Sequence, residues 1–357
     1  MTRRSAPASP VINRDASCRE ELSLLAGVQC TTRVSSRIRV WRVAVRVALV
    51  CVVASALGAT YEWIQGRRDL AVAAPPGLMV DVGGYRLHLW CFGQGVPTVV
   101  FDSGLGGTAF DWYAVLRDVS GFTTACAYDR AGMGYSDAGP SPRTSRRIAG
   151  ELAELVRLSE TRLPVVLVGW SAGGLYVRVY ASEHESEVAA LLLVDAAHED
   201  QVAKLTAAGF SSDLPVWARF VPAAAALGLL RLTGRPAGLR PETVPEPVRR
   251  FVQATVYRPS SYQAEYDEES HWSESSDEVR ALRRRLSIPV VVLSAGQSPI
   301  PDVTTTLQRD LLRLSARSCQ IVATNSDHMI PMRAPDAVVR ATRVVIDAWR
   351  TSSMPKC

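Results

Sequence analysis

Gly169-Trp170-Ser171-Ala172-Gly173 sets a hydroxyl between two glycines, directly after the apolar run Val165–Val168 and just before a helical stretch, Leu175–Ala181. Strand, sharp turn and helix in that order form a nucleophile elbow, in which a serine is thrust out of a strained backbone. Gly169 and Gly173 remove the Cβ atoms that would collide with the helix and the preceding strand. The chemistry this predicts is acyl transfer. The Ser171 Oγ attacks a carbonyl, and the Ala172 N–H, at a helix N-terminus, faces the oxyanion that develops.

A serine nucleophile needs a base, and the chain has five histidines. His88 alternates with Leu87 and Leu89 and reads as a strand-face residue. His184 lies at a polar helix end, and His271 lies in the acidic stretch Glu265 to Glu278. His198 follows a strand end and stays a minor alternative. His328 fits the order nucleophile, acid, base: it follows the strand-like Cys319–Ala323 and precedes a final helical segment, Asp336–Trp349. A second oxyanion donor is expected in the glycine-rich turn Asp102–Gly107, after the strand pattern Pro97–Phe101, and is assigned to the Leu105 N–H. Asp129 and Arg130, in the loop Ala127–Ser136, read as structural and paired near the cleft.

These stretches resemble the α/β-hydrolase superfamily over roughly Leu78 to Arg350. The closest likeness is to a bacterial branch with Tyr128-Asp-Arg-Ala-Gly132, Gly169-x-Ser-x-Gly-Gly174 and Leu193-Val-Asp-Ala-Ala-His-Glu-Asp-Gln201. Many relatives carry His in place of Trp170 and His-Gly in place of Ser103-Gly104; the first departure should reshape a pocket wall. The resemblance implies an α/β fold with a mostly parallel eight-stranded sheet flanked by helices and a helical cap after the sixth strand. It leaves two candidates for the triad acid. Asp195 ends the sixth strand, Leu191–Val194. Asp302 lies beyond the seventh, Pro289–Leu293, where relatives commonly place the acid. Each has an alternative use as a helix cap. Epoxide hydrolases and dehalogenases of this superfamily use an aspartate nucleophile, and Ser171 argues against both activities.

The elements that position these residues follow from the pattern. Strands alternate with helices, as in a parallel sheet covered on both faces, and 357 residues with 47% hydrophobic content can bury a sizeable core. More than eighty residues between Asp195 and Pro289 exceed what the sheet needs and read as a cap, about 200–287. It includes an apolar helical run, Leu214 to Leu232, and a Pro-rich hinge, Arg235 to Pro247. Pro215–Pro222 and Leu227–Leu230 would face substrate or membrane, or simply pack as cap core.

Of the 40 Lys and Arg residues only Lys204 and Lys356 are lysine, and the arginines are scattered, so no nucleic-acid surface is expected. The total charge of +5 is local: residues 1–50 carry +6, leaving −1 for the rest. That positive flank precedes Val47–Ile64, 18 residues with one acid, Glu62, about the minimum for a membrane span. The expected organisation is a disordered tail over 1–36, a transmembrane anchor or signal segment over 37–65, and a hydrolase domain over 76–350. The flank puts the hydrolase outside the cytoplasm, at the cell membrane. Cleavage near Ala54-Ser55-Ala56 with secretion is one alternative, and a soluble helix packed on the enzyme is another. In the resembled fold the strands bearing Cys91 and Cys126 are neighbours, and an oxidising compartment would permit a bond; two buried thiols are the alternative. Cysteine and histidine spacings fit no metal site, so neither metal nor cofactor is expected. The expected function is a serine hydrolase for an ester-type bond of a small hydrophobic or acyl substrate. A small-residue aminopeptidase and a non-catalytic scaffold are the alternatives.

Overall fold

Eight short runs rich in Val, Leu and Ala assemble into one sheet. The computed structural model describes residues 32–159, 161–211, 214–234 and 244–357. The strands are β1 (Leu78–Asp81), β2 (Arg86–Phe92), β3 (Thr98–Asp102), β4 (Ala125–Asp129), β5 (Val165–Trp170), β6 (Val188–Val194), β7 (Val290–Ala295) and β8 (Ser318–Ala323), in the order β1-β2-β4-β3-β5-β6-β7-β8. β2 pairs antiparallel with β1 and β4, and all the other pairs are parallel. Every residue of β3, β4, β5 and β6 is buried, which explains their unbroken apolar runs: helices cover both faces, so neither face is polar.

Alternation along the strands divides the core in two. Val99, Phe101, Val166 and Val168 pack on one face with α2 (Tyr113–Val119) and α13 (Pro335–Arg350). Val100, Val165 and Leu167 pack on the other with α3 (Ser145–Leu158) and α4 (Gly173–Glu183). Chain order leaves β3 for β4 on one side, then returns to place β5 on β3's other flank. Such a switch point opens a crevice at the carboxyl ends of the strands. Asp102, at the end of β3, is in register with Gly169 of β5, so the glycine-rich turn and the elbow emerge side by side.

The insertion between β6 and β7 is helical: α5 (Gln201–Ala207), α6 (Val221–Ala226), α7 (Leu229–Thr233), α8 (Glu246–Thr255), α9 (Pro259–Ser270) and α10 (Trp272–Ala281). The run Leu214 to Leu232 is not one helix. Pro215 and Pro222 each remove a backbone donor, and Gly228 turns left-handed at φ 72°. The run therefore breaks into a 3-10 turn, Ala218–Phe220, followed by α6 and α7. The part of the expected hinge up to residue 243 lies outside the described residues. α11 (Pro301–Asp310) follows β7, and α12 (Ile330–Arg333) follows β8.

Among the described residues two disulfides are present: Cys91–Cys126, joining the paired strands β2 and β4, and Cys319–Cys357, joining β8 to Cys357 at the end of the chain. The second has no counterpart in the sequence reading.

By contact density the chain divides into residues 1–55 and 56–357. Helix α1 (Thr32–Val72) begins inside the stretch expected to be disordered; the rest of that stretch, residues 1–31, lies outside the described residues. Residues 39–55 of α1 are exposed, and Arg39–Val72 is long and apolar enough to cross a membrane.

Candidate active site

Ser171 occupies the turn between β5 and α4 with φ 52°, a region that costs most residues free energy. Two glycines permit the turn. A Cβ on Gly169 would lie 2.6 Å from the Gly173 oxygen, and one on Gly173 would lie 2.6 Å from the Asp102 oxygen. The crowding at Gly173 thus comes from the end of β3 rather than from β5. The Ser171 N–H donates to Val194 O at 3.2 Å, and the Ala197 N–H donates to Ser171 O at 2.8 Å. Those bonds tie the elbow to the end of β6.

His328 lies between β8 and α12. Its Nε2 is 3.0 Å from Ser171 Oγ and its Nδ1 is 2.7 Å from an Asp195 oxygen. An ionised carboxylate only accepts, so Nδ1–H donates to Asp195 and Nε2 keeps the lone pair that can take the serine proton. The other Asp195 oxygen accepts the Ala295 N–H at 3.1 Å. Asp195 itself has φ 38°, a second strained residue beside the first. Asp302 sits exposed in the first turn of α11, where its backbone oxygen accepts from the Thr306 hydroxyl. The structure therefore joins Ser171, His328 and Asp195, and leaves Asp302 out.

Ala172 follows Ser171 in the chain, and Leu105 follows Gly104, which packs against the serine. The Ala172 N–H stands at the N-cap of α4. Gly104 comes so near that an added Cβ would be 3.1 Å from Ser171 Cβ. The buried Arg130 donates to Ser103 O at 2.7 Å and to Gly104 O at 2.8 Å. In a planar trans peptide the C=O and the following N–H point opposite ways. With Gly104 O turned to Arg130, the Leu105 N–H points away from it. Among the described residues neither this N–H nor that of Ala172 has an acceptor.

Arg130 also binds Asp102 at 2.7 Å and both oxygens of Glu268, on α9, at 3.0 Å. The structural role of Arg130 is legible in the sequence, but its partner in the cap, 138 residues away, is not. Burial pushes the Asp102 carboxyl up to about 6 even beside that guanidinium. Asp129 pairs elsewhere: it accepts from His88 at 2.7 Å and from the Ala109 N–H at 2.7 Å, bracing the loop after β3. Trp170 carries an unforeseen role, since its Nε1–H donates to His328 O at 2.8 Å and so fixes the loop that presents the imidazole. An indole beside a serine was the available signal; its target, 158 residues away, was not.

The other histidines are engaged elsewhere. His198 is buried, contacts Asp310 at 3.1 Å, and accepts the Asp200 N–H at 3.0 Å. Burial holds its pKa below the usual value. Beside the elbow opens a cleft of about 810 Å³, lined by Leu105, Phe110, Tyr113, Trp170, Met329 and Met332. The cap contributes Val244 and Pro245 to it. The segments Pro215–Pro222 and Leu227–Leu230 do not line it; Val216, Trp217, Phe220 and Leu229 are exposed on the surface. Among the described residues no group of three or more His, Cys, Asp or Glu is arranged to hold a metal ion.

The sequence model of the alpha/beta hydrolase family matches residues 99–341. An uncharacterised vacuolar membrane protein of Saccharomyces cerevisiae (strain YJM789) is 28% identical over 138 residues, which is 34% of this chain and 21% of that protein. The chain thus spans about a fifth of that relative's length. Among solved structures, Cfl2 from Burkholderia cenocepacia aligns with a TM-score of 0.58 and 21% identity, over 74% of this chain and 93% of that one. A thermophilic esterase from Thermogutta terrifontis aligns with a TM-score of 0.55 and 21% identity, over 76% and 97%. At these identities the structural likeness speaks for the fold alone.

Proposed function

The chain belongs to the alpha/beta hydrolase family, and from that premise we propose that it is a membrane-anchored serine hydrolase of carboxylic ester bonds. The observation that carries this reading is the unbroken line Ser171–His328–Asp195, with contacts of 3.0 and 2.7 Å. His328 Nε2 takes the Ser171 proton as Oγ adds to the ester carbonyl. The Ala172 and Leu105 N–H groups hold the resulting oxyanion, and Asp195 stabilises the imidazolium. Collapse expels the alcohol, which takes the proton from His328. Water, deprotonated by the same nitrogen, then attacks the acyl-enzyme, and the acid leaves as Ser171 is reprotonated. The apolar lining of the 810 Å³ cleft suits an acyl chain.

Anchoring is supported by helix α1, with its arginine-flanked apolar stretch, and by similarity to the yeast vacuolar membrane protein. Two disulfides favour an oxidising, extracytoplasmic compartment for the hydrolase. Labelling by a fluorophosphonate probe, followed by turnover of p-nitrophenyl esters of graded chain length, tests the chemistry. Absence of both labelling and turnover would leave the non-catalytic scaffold. A carbonate wash tests the anchor, because a peripheral or cleaved protein is released by it.

A further inference from the structure

We propose that the cap segment Val216–Leu232 is a lipid-contacting face that dips into the same membrane leaflet from which α1 emerges. It would thereby set the enzyme on its own substrate, an acyl ester resident in that leaflet. The inference rests on the anchored-hydrolase reading above and adds to it where the cap sits and where the substrate comes from.

The first observation is exposure. Val216 is 71% exposed, Trp217 66%, Phe220 57% and Leu232 63%. Four large apolar side chains within one short stretch oppose the hydrophobic effect in water, and such patches mark interaction sites. Tryptophan and phenylalanine are also the residues that settle at a lipid–water boundary.

The second observation locates that stretch against α1. Gly58 meets the cap so closely that an added Cβ would be 2.5 Å from Leu227 O. A Cβ on Gly228 would lie 3.1 Å from the Tyr61 ring and 3.3 Å from Gly58 O. Arg231 binds both oxygens of Glu62 at 2.8 and 2.9 Å, and contacts Asp69 at 2.6 Å. This explains the one acid in the apolar stretch of α1: Glu62 is buried and neutralised by a cap arginine rather than facing lipid unpaired. The carboxyl-terminal part of α1 and α7 therefore share a fixed level. Leu229 and Leu232 flank the anchoring residues, and Val216–Phe220 leads straight into α6.

Helix geometry supplies the depth. Gly58 precedes Ile64, the last residue of the apolar stretch, by six residues, which is about 9 Å along an α-helix. That falls in the 5–10 Å range to which interfacial apolar faces insert. The membrane end of α1 is also continuous with the substrate side of the molecule. Leu70 and Ala73 belong to the same apolar cluster as Phe110, Tyr113 and Val244, which line the cleft.

The test uses the full chain in phosphatidylcholine–phosphatidylglycerol vesicles. Trp217 emission is isolated as the difference between wild type and Trp217→Phe, with lipids brominated at the 6,7 positions as quencher. The difference emission should fall by at least half in brominated vesicles and resist aqueous acrylamide. Quenching by acrylamide but not by bromine would overturn the proposal, since the face would then look into water. Protection from both would overturn it in favour of a covering protein or a second copy. As a functional arm, Trp217→Ser/Phe220→Ser should lower turnover of a long-chain ester embedded in the vesicles about tenfold and leave p-nitrophenyl butyrate unchanged. An equal loss on both esters, or no loss on either, would refute delivery from the leaflet. If wild type turns over neither ester, the hydrolase reading fails while the fluorescence still decides the membrane contact. Release of the chain from vesicles by carbonate would instead overturn the anchor itself.

Discussion

Ser171 and Asp195 both hold backbone angles that side chains normally avoid, and His328 bridges them. Ser171→Ala removes one oxygen from a half-buried turn. It should abolish ester hydrolysis and fluorophosphonate labelling while leaving the circular dichroism spectrum and thermal midpoint of wild type; wild-type turnover would reject the nucleophile. The two acids are separable in the same way. Asp195→Asn should lower kcat on the order of 10⁴ with the fold intact, because the imidazole loses both its tautomer and its counter-charge. Asp302→Asn should leave kcat near wild type, since that carboxylate lies exposed on α11 and away from His328. The reverse pattern in steady-state kinetics would move the acid to α11.

At the scale of elements, the turn after β3 is shaped by a guanidinium from the end of β4, which is held in turn by cap helix α9. Arg130→Met would take the guanidinium from the carbonyls of residues 103 and 104 and from Asp102 and Glu268, leaving Asp102 with the Tyr128 hydroxyl and Glu268 with the Tyr176 hydroxyl and Arg143. The expected stability loss is about 3–5 kcal/mol, read by urea unfolding, with a kcat loss approaching the 10²–10³ typical of a lost oxyanion donor. Glu268→Gln disturbs the cluster from the cap side and leaves Arg130 on Ser103 O and Gly104 O. It should therefore cost stability with a much smaller change in kcat. Equal kcat losses in the two variants would mean that the cap, rather than the Gly104–Leu105 peptide, is what Arg130 holds for catalysis.

For the whole molecule, the covalent and ionic ties outside the cleft set its resistance to heat and acid. Cys357→Ser opens the bond between the last residue and β8 and should lower stability by about 2–4 kcal/mol, seen as a lower thermal midpoint that reductant no longer shifts as far. Acid sensitivity has a named contributor in Glu199. Burial alone would raise its carboxyl, but the hydrogen bond and charge of buried Arg178 outweigh that and hold it at about 2. The folded value lies below the ordinary glutamate value of about 4.3. The pair's stabilisation is therefore complete above that value and is lost as pH falls from there toward 2. Glu199→Gln should lower the thermal midpoint at neutral pH and flatten its decline across that acid range; an unchanged slope would show that other carboxylates govern acid unfolding.

What the sequence determined by itself is what is local. The elbow at Ser171 is written in adjacent residues, because strand, strained turn and helix follow one another without a gap. His328 stood out by its place in chain order, and the parallel sheet was legible because strands buried on both faces need unbroken apolar runs. Strand order, the partner of each charge and the choice between two carboxylates depend on distances across the folded chain, to which sequence separation is blind. Asp195 reaches His328 across 133 residues, and Trp170 reaches its oxygen across 158. Arg130 finds Glu268, Arg231 finds Glu62, and Cys319 finds Cys357 in the same way. The broken cap run shows the opposite case, since Pro215, Pro222 and Gly228 were visible in the sequence but an apolar periodicity masked them. Only the tertiary structure placed that run on the surface beside the end of α1, because whether an apolar stretch packs inward or faces outward is decided by what lies against it.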